Sequence, residues 1–550
     1  MSKIKIFALG GLNENGKNMY VVDVDQNIFV FDAGLKYPTA NMLGIDYIIP
    51  KIDYLIENKK NVRGIFLSHG HEGNMGAMPD ILREMPDVPV YGSKFTMDLL
   101  KGYLSKQKIK ATNLKEVRPH SKIDVAGFSV FPIQLTHSVP EALAYVLYTD
   151  DGAIVYATDF VFDSTMLGSY KTDIGKLAYV GKQGVLCLLS ESLYAGRAGH
   201  TSPKHRIADK VWDVLNSTDK RIIITLFQNH IYRLQEIFDQ IKRTRRKVVL
   251  LGKDLQDIVD YSLKQGYLNF DKNILGTLDD VDDRDIVIIT SDVKEKSFAS
   301  LDKIISGYDK FVTLKEGDTV FVSEPVYPGN EKKMAKIVDD LCRLGVETVT
   351  LSFKKHLLHH ASKEDLMQMI DLISPKYYFP IKGEYRYMYM NAALAEQTGM
   401  SKDNIILKLN GEVASFENGK LLDKKETVPI DEILIDGKTT EDVGELVLKD
   451  RELLSKNGIV LVSATIDKNT KEILSNPQIL TRGFIYVREN KDMIDKSEMI
   501  CKNVIEEVIE DNFRKVDFSR IKQDIRKELG DYFYDVTGTI PMILTVILEV

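Results

Sequence analysis

The sequence predicts an α/β protein of several domains, and three observations carry that expectation. At 550 residues with 44% hydrophobic side chains, the chain exceeds what one core usually organises and has ample apolar surface to bury. Its first two hundred residues alternate short β-branched runs with Gly and Asp turns, and helical periodicity is thin between several of them. After Ser202 the rhythm becomes helix then strand, the pattern of a parallel sheet covered by helices.

Taken in order, strands are expected at Lys3–Leu9, Met19–Val24, Ile28–Asp32, Gly64–Ser68, Val88–Tyr91, Phe128–Leu135, Ala153–Ala157 and Val185–Leu189. Their β-branched and aromatic residues suit half-buried pleated surfaces, and together they read as antiparallel or mixed sheets with helices outside. Helical spacing then appears at Arg206–Leu215, Tyr232–Lys242 and Leu255–Gln265, each leading to a strand, at Arg221–Leu226, Lys247–Leu251 and Asp285–Thr290. A helix at Glu364–Ile373 leads into the strand Lys376–Pro380, after which short strands resume to about Val447. The charged stretch near Glu441–Lys456 lacks sustained alternation and suits a linker or a connecting helix. The tail gives Gly458–Ile466, helices near Lys496–Asn512 and at Phe518–Leu529, and a closing strand Pro541–Val550. That β-α-α-β order implies a small α+β domain.

The formal charge of −7 leaves no global basic footprint, so a polyanion would have to be held by a local channel. The densest basic run, Lys242-Arg243-Thr244-Arg245-Arg246-Lys247, reads first as a solvated helix end and second as a phosphate-contacting edge. Cys187, Cys342 and Cys501 are odd in number, far apart and set among apolar residues, so they are expected to be core thiols, neither disulfides nor zinc ligands. No apolar stretch approaches a membrane span, and the opening residues run straight into strand-like alternation, which makes the cytoplasm the expected location.

The chemistry concentrates at His69-Gly70-His71-Glu72-Gly73-Asn74, directly after the apolar run Gly64-Ile65-Phe66-Leu67. This loop is similar to the H-x-H-x-D-H metal loop of the metallo-β-lactamase superfamily, in which two histidines hold one cation and the following Asp-His pair a second. Two metals about 3.5–4 Å apart activate water and stabilise the leaving oxygen of a phosphodiester. Here Gly73 has no side chain to coordinate with, and Asn74 offers only a neutral amide oxygen, a poor replacement for imidazole.

Asp32-Ala33-Gly34, Thr136-His137-Ser138-Val139-Pro140, Thr158-Asp159-Phe160 and Pro380-Ile381-Lys382-Gly383-Glu384-Tyr385-Arg386 follow in an order that, with the His69 loop, resembles the ribonuclease J family. The resemblance extends to Gly16-Lys17-Asn18-Met19, Met42-Leu43-Gly44-Ile45-Asp46, Lys315 to Val320, Pro328-Gly329-Asn330-Glu331 and Pro541 to Leu544, essentially the whole chain. It implies a metallo-β-lactamase αββα sandwich formed by residues 1–205 and 364–440, an inserted β-CASP α/β domain at 206–363, a linker at 441–456 and a small C-terminal α+β domain at 457–550.

The same resemblance places His69, His71 and His137 on the three histidines of the first metal site and Asp159 on the aspartate shared by both metals. The second set is lost at Gly73 and Asn74, and at Lys382, which stands where the family has histidine. Asp32 falls on the aspartate that supports the ligands from behind. The family's H-x-S-G-H element becomes His356-Leu357-Leu358-His359-His360, the expected substrate-binding segment, without its Ser-Gly pair. Its S-N-x-H-R element reads Asn229-His230-Ile231-Tyr232-Arg233, and G-S-Q-G-E reads Thr290-Ser291-Asp292-Val293-Lys294. Glu191 survives from the first β-CASP motif, but the Ser-Glu expected beyond it is Pro203-Lys204.

Relatives of this kind are 5′–3′ exoribonucleases, some also endonucleases, of messenger decay and ribosomal RNA maturation, and they form dimers and tetramers. With half of the ligands gone, the resemblance implies at most one zinc or manganese ion per chain, with none as the lower bound. Asp159 and His360 are the residual catalytic candidates. The expected function is a weakly active or non-catalytic RNA-binding subunit, homodimeric or joined to a paralogous ribonuclease J subunit. The alternative is a competent single-metal ribonuclease.

Overall fold

The computed structural model describes residues 2–39, 42–227, 229–292, 298–326, 330–437, 444–485, 490–511, 513 and 516–550. Pro328-Gly329, Val293-Lys294 and the start of the expected linker, 441–443, lie outside them. The chain divides into two compact units, one of Met1–Tyr37 with Ile48–Glu432 and one of Pro38–Tyr47 with Ile433–Val550.

Two sheets face each other in the first unit. Among the described residues, an eight-stranded sheet runs in the order Lys420–Leu421, Ala414–Glu417, Lys3–Gly10, Met19–Val24, Asn27–Phe31, Val62–Phe66, Val90–Gly92 and Leu114–Glu116. It is antiparallel up to Asn27–Phe31 and parallel beyond. The six-stranded sheet runs Tyr377–Ile381, Val185–Glu191, Gly152–Ala157, Ala142–Thr149, Phe128–Leu135 and Ile123–Val125. Period-2 alternation sorts the residues of Lys3–Gly10: Ile4, Ile6 and Ala8 join Tyr145, Leu147 and Tyr156 of the other sheet in the central core. Phe7, between them, points outward and meets Tyr54 of helix Asp53–Glu57 edge-on. The outer face of the six-stranded sheet is covered by helices Ile174–Gln183, Lys363–Ile373 and Tyr385–Gln397. The result is the four-layer αββα sandwich.

Between its two halves the chain builds a parallel sheet, five-stranded among the described residues and ordered Val248–Leu251, Val287–Asp292, Ile222–Phe227, Thr319–Pro325 and Glu347–Leu351. Parallel strands need crossovers, and helices bury both faces, which is why these strands read as continuous Val/Ile/Leu runs. Ile222, Ile224 and Leu226 pack under helices Ala208–Ser217, Ile231–Ile241 and Lys253–Gln265, while Ile223, Ile288 and Val320 pack under Ala299–Ile305 and Glu331–Arg343.

In the second unit, Ile459–Ile466 lies between antiparallel Ile473–Arg482 and parallel Met542–Glu549. Helices Lys491–Asp511 and Phe518–Thr537 cover one face through Val460, Val462, Ile505, Ile525 and Phe533. Among the described residues, no helix is long and apolar enough to cross a membrane.

Several sequence expectations need correction. Ala142–Thr149 is a strand that alternation does not reveal, because its first six residues are buried on both faces. Helices at Lys94–Lys106 and Ile174–Gln183 were not expected; each starts at a side-chain cap, Ser93 accepting from Thr96 N and Asp173 from Lys176 N. Tyr385–Gln397 is a helix, in place of the short strands expected after Pro380; its tyrosines read as strand formers, but the segment packs as a helix through Met388, Ala392 and Ala395. The tail order is β-β-α-α-β, with Ile473–Arg482 the strand not foreseen. Gly444–Asn457 is helical, one of the two forms expected of that stretch. Cys187 and Cys501 are buried as expected, but Cys342 is exposed. In the basic run, Arg246 is buried and donates to the Lys220 carbonyl, and Arg243 stacks on Trp212.

Candidate metal centre

The site forms where strands of both sheets end. Asp32 follows Asn27–Phe31, the His69 loop follows Val62–Phe66, His137 follows Phe128–Leu135, Asp159 follows Gly152–Ala157, and Lys382 follows Tyr377–Ile381. Asp32, Asp159 and Lys382 all adopt positive φ, at 61°, 52° and 52°, so the backbone turns sharply after each strand. Non-glycine residues occupy that region at a cost of about 1–3 kcal/mol, and such strain gathers at functional sites.

Three imidazoles converge. His69 Nε2 lies 3.1 Å from His71 Nδ1, which lies 3.2 Å from His137 Nε2, and Asp159 Oδ2 stands 3.2 Å from His69 Nε2. Ligands about 2.0–2.1 Å from a tetrahedral zinc stand about 3.3–3.4 Å apart, so this spacing fits one ion. The hydrogen bonds behind the rings fix which nitrogens face inward. His137 Nδ1 lies 2.8 Å from the His359 carbonyl oxygen, to which only an N–H can donate, leaving Nε2 with its lone pair. Ser68 gives its hydroxyl proton to Asp32 Oδ2 at 2.8 Å and so accepts from His69 Nδ1 at 2.9 Å, again leaving Nε2 as an acceptor. Burial holds all three histidines well below the usual imidazole range, so they are neutral, as ligands must be. The lone pairs of His69 Nε2 and His137 Nε2 thus both face His71 Nδ1, an arrangement that a cation can share. Asp32 itself is fully buried, and burial pushes its pKa up to about 6 against the bonds from Ser68, Tyr156 and Asn74.

At the family's remaining ligand positions the groups are engaged with other partners. Gly73 uses its carbonyl to accept from the Asn18 side chain at 2.8 Å. Asn74 donates Nδ2 to Asp32 at 2.6 Å, which leaves its Oδ1 toward Lys382 Nζ at 3.4 Å. Lys382, only 4% exposed, forms an ion pair with Asp159 Oδ2. A neighbouring group comprises Asp159, Glu191 and His360: His360 Nδ1 is 2.9 Å from Glu191 Oε2 and 3.2 Å from Asp159 Oδ1. Burial disfavours charge on His360, yet Glu191 and Asp159 outweigh it and raise its pKa. The ring lies between two carboxylates, which favour its protonated form. Asp159 is held well below the carboxylate range, its burial outweighed by Lys382 and His360.

A cavity of about 140 Å³ opens onto this centre, lined by His71, Asn74, His137, Asp159, Lys382, His360 and residues of the inserted sheet's rim, among them Asn229 and His230. Of the expected substrate-binding segment, Leu358, His359 and His360 line it. His356 and Leu357 do not: Leu357 packs with Tyr194 in a small apolar cluster, and His356 follows the turn closed by its own N–H on Ser352. His359, where the family pattern has glycine, is a buried ring packed 4.6 Å from His205 and 5.1 Å from His230. Sequence reading missed Glu324, which accepts from Arg233 at 2.6 Å and lies 2.7 Å from His230 Nδ1. The two sides of that contact are about ninety residues apart, and no motif announces it.

An αββα sandwich with histidines and a shared aspartate at its strand ends, interrupted by a parallel α/β unit, defines a metallo-β-lactamase-fold hydrolase of the β-CASP type. Residues 30–174 match the β-lactamase superfamily domain, 219–341 the ribonuclease J β-CASP domain, 352–407 the Zn-dependent metallo-hydrolase RNA specificity domain and 446–550 the ribonuclease J C-terminal domain. Over its whole length the chain is 38% identical to Ribonuclease J2 of Bacillus subtilis, covering 99% of that protein. It is 33% identical to Ribonuclease J 2 of Staphylococcus epidermidis and 34% to that of Staphylococcus aureus, covering 98% of each and 100% of itself. The chain belongs to the ribonuclease J family. A solved protein of unknown function from Enterococcus faecalis shares the fold at a TM-score of 0.52 and 16% identity, over 75% of this chain and 100% of that one.

Proposed function

We propose that this ribonuclease J-family protein is a single-metal, weakly active or non-catalytic RNA-binding subunit that works in the cytoplasm in complex with an active paralogue. The observation that carries the reading is the asymmetry of the centre. His69, His71 and His137, with Asp159 3.2 Å from His69, present one donor set, whereas Gly73, Asn74 and Lys382, at the family's remaining ligand positions, supply no carboxylate or imidazole for a second ion. One divalent ion, zinc or manganese, would be held by the first set and would supply Lewis acidity toward a phosphodiester.

The remaining contributions belong to the chain itself. His360 keeps a positive charge at the cavity wall through Glu191, positioned to meet a phosphate oxygen. Asp32 and Ser68 hold the tautomer of His69, and the His359 carbonyl that of His137. His359 and His230 narrow the cavity with neutral rings, since burial lowers both pKa values. The alternative, a competent single-metal ribonuclease, draws on one observation: the Asp159–His360–Glu191 group is intact.

Turnover of a 5′-monophosphorylated RNA separates the two. The proposed subunit binds the RNA and by itself turns it over weakly or no faster than Asp159→Ala. Turnover as fast as that of an active ribonuclease J, abolished by Asp159→Ala, would establish the alternative.

A further inference from the structure

Lys382 is buried, yet its long stem would allow a surface lysine to reach solvent; three backbone contacts hold it in place. Its N–H donates to the Gly11 carbonyl at 3.1 Å and its carbonyl accepts from Ser192 N at 3.0 Å, while Gly383 N–H is tied to the Glu14 carbonyl at 2.8 Å. The strand end therefore aims the side chain inward. There Nζ meets Asp159 Oδ2, the same oxygen that faces the histidine trio, and Asn74 Oδ1.

We infer that the Lys382 ammonium is a built-in replacement for the second cation, neutralising Asp159 at the position that a metal would otherwise share with it. This deepens the single-metal reading and rests on it. Asp32, Asp159 and Glu191 are at most 1% exposed, and three buried carboxylates in one site require compensating charge. His360 supplies part of it through Glu191 and Asp159 Oδ1, and Lys382 supplies the part at Oδ2.

The neighbouring substitutions fit an ammonium. An ammonium has three donors and needs acceptors around it. With its Nδ2 committed to Asp32, Asn74 turns an acceptor to Lys382, where a metal-ligating histidine would present either a competing N–H or a lone pair suited to a metal. Packing does not demand the loss of a ligand at Gly73. A Cβ there would meet nothing closer than 3.8 Å, so contact at Cβ does not require glycine at this position. Lys382 also lines the cavity, which places the same charge within reach of a phosphodiester.

The test uses full-length protein stripped with chelator, so that the first ion does not enter the reading. Lys382→Met should lower the unfolding midpoint by roughly 3 °C or more. On an Asp159→Asn background the same substitution should cost little, because the charge to be balanced is gone. Should Lys382→Met not fold, the double variant should. A penalty of equal size on both backgrounds, no penalty on either, or failure of both variants to fold would assign Lys382 to packing and overturn the inference. These outcomes do not depend on RNA turnover, so the functional reading can fail without the charge replacement failing, and the reverse.

Discussion

Asp32 acts on the metal centre without touching the ion's place. It accepts from the Ser68 amide at 2.7 Å, the Ser68 hydroxyl at 2.8 Å, Tyr156 OH at 2.6 Å and Asn74 Nδ2 at 2.6 Å, and through Ser68 it fixes His69. Replacing it by Ala leaves those donors unpaired in a dry site and frees the imidazole to flip its tautomer. We predict that Asp32→Ala weakens zinc affinity by about 10–100-fold in calorimetric titration. Unchanged affinity would mean that the ring is held by packing alone. At this scale the sequence was legible where residue type is the chemistry: His69, His71 and His137 converge and Asp159 stands 3.2 Å from His69, as their motifs imply. What the motifs could not convey is partnership. Which oxygen fixes which ring, and that Asn74 orients toward Lys382, depends on contacts 42 and 308 residues apart.

Helix Ile231–Ile241 shows how one element supports another. Its Glu236 reaches the start of helix Ala208–Ser217 and accepts from Ile207 N at 3.0 Å, serving as a cap that the local sequence does not provide. Burial outweighs Arg233 and that hydrogen bond and raises the Glu236 pKa to about 7. With the folded pKa above the unfolded one, its contribution to stability is present in full below the unfolded value near 4.5 and is lost as pH rises through about 7. A shift of that size corresponds to at most about 3 kcal/mol. Glu236→Gln keeps an acceptor for the cap without a charge. Its unfolding midpoint should therefore match wild type near pH 4 and exceed it at pH 8; a constant difference across that range would rule out the titration. Elements with clear period or β-branched runs were legible, such as Phe128–Leu135 and Val185–Glu191. Ala142–Thr149 and Tyr385–Gln397 were not, because burial on both faces and tertiary packing override local pattern.

On the scale of the whole molecule, the order of domain types was legible because family motifs punctuate the chain from residue 30 to 550. The state of assembly is not written in such motifs. In the C-terminal unit, the sheet face away from helices Lys491–Asp511 and Phe518–Thr537 exposes Leu480, Leu544, Val546 and Leu548 by 41–61%. If the protein works as a subunit, that unit is retained for assembly after the centre has lost ligands. Removal of residues 444–550 should shift sedimentation to smaller species, and an unchanged distribution would contradict the claim. The central claim concerns the number of ions that the molecule can hold, since one donor set separates a subunit from a two-metal nuclease. Elemental analysis of purified, exhaustively dialysed protein tests it most directly. No more than one zinc or manganese per chain is expected, lost on His71→Ala; two tightly held ions per chain would rule out the single-metal centre.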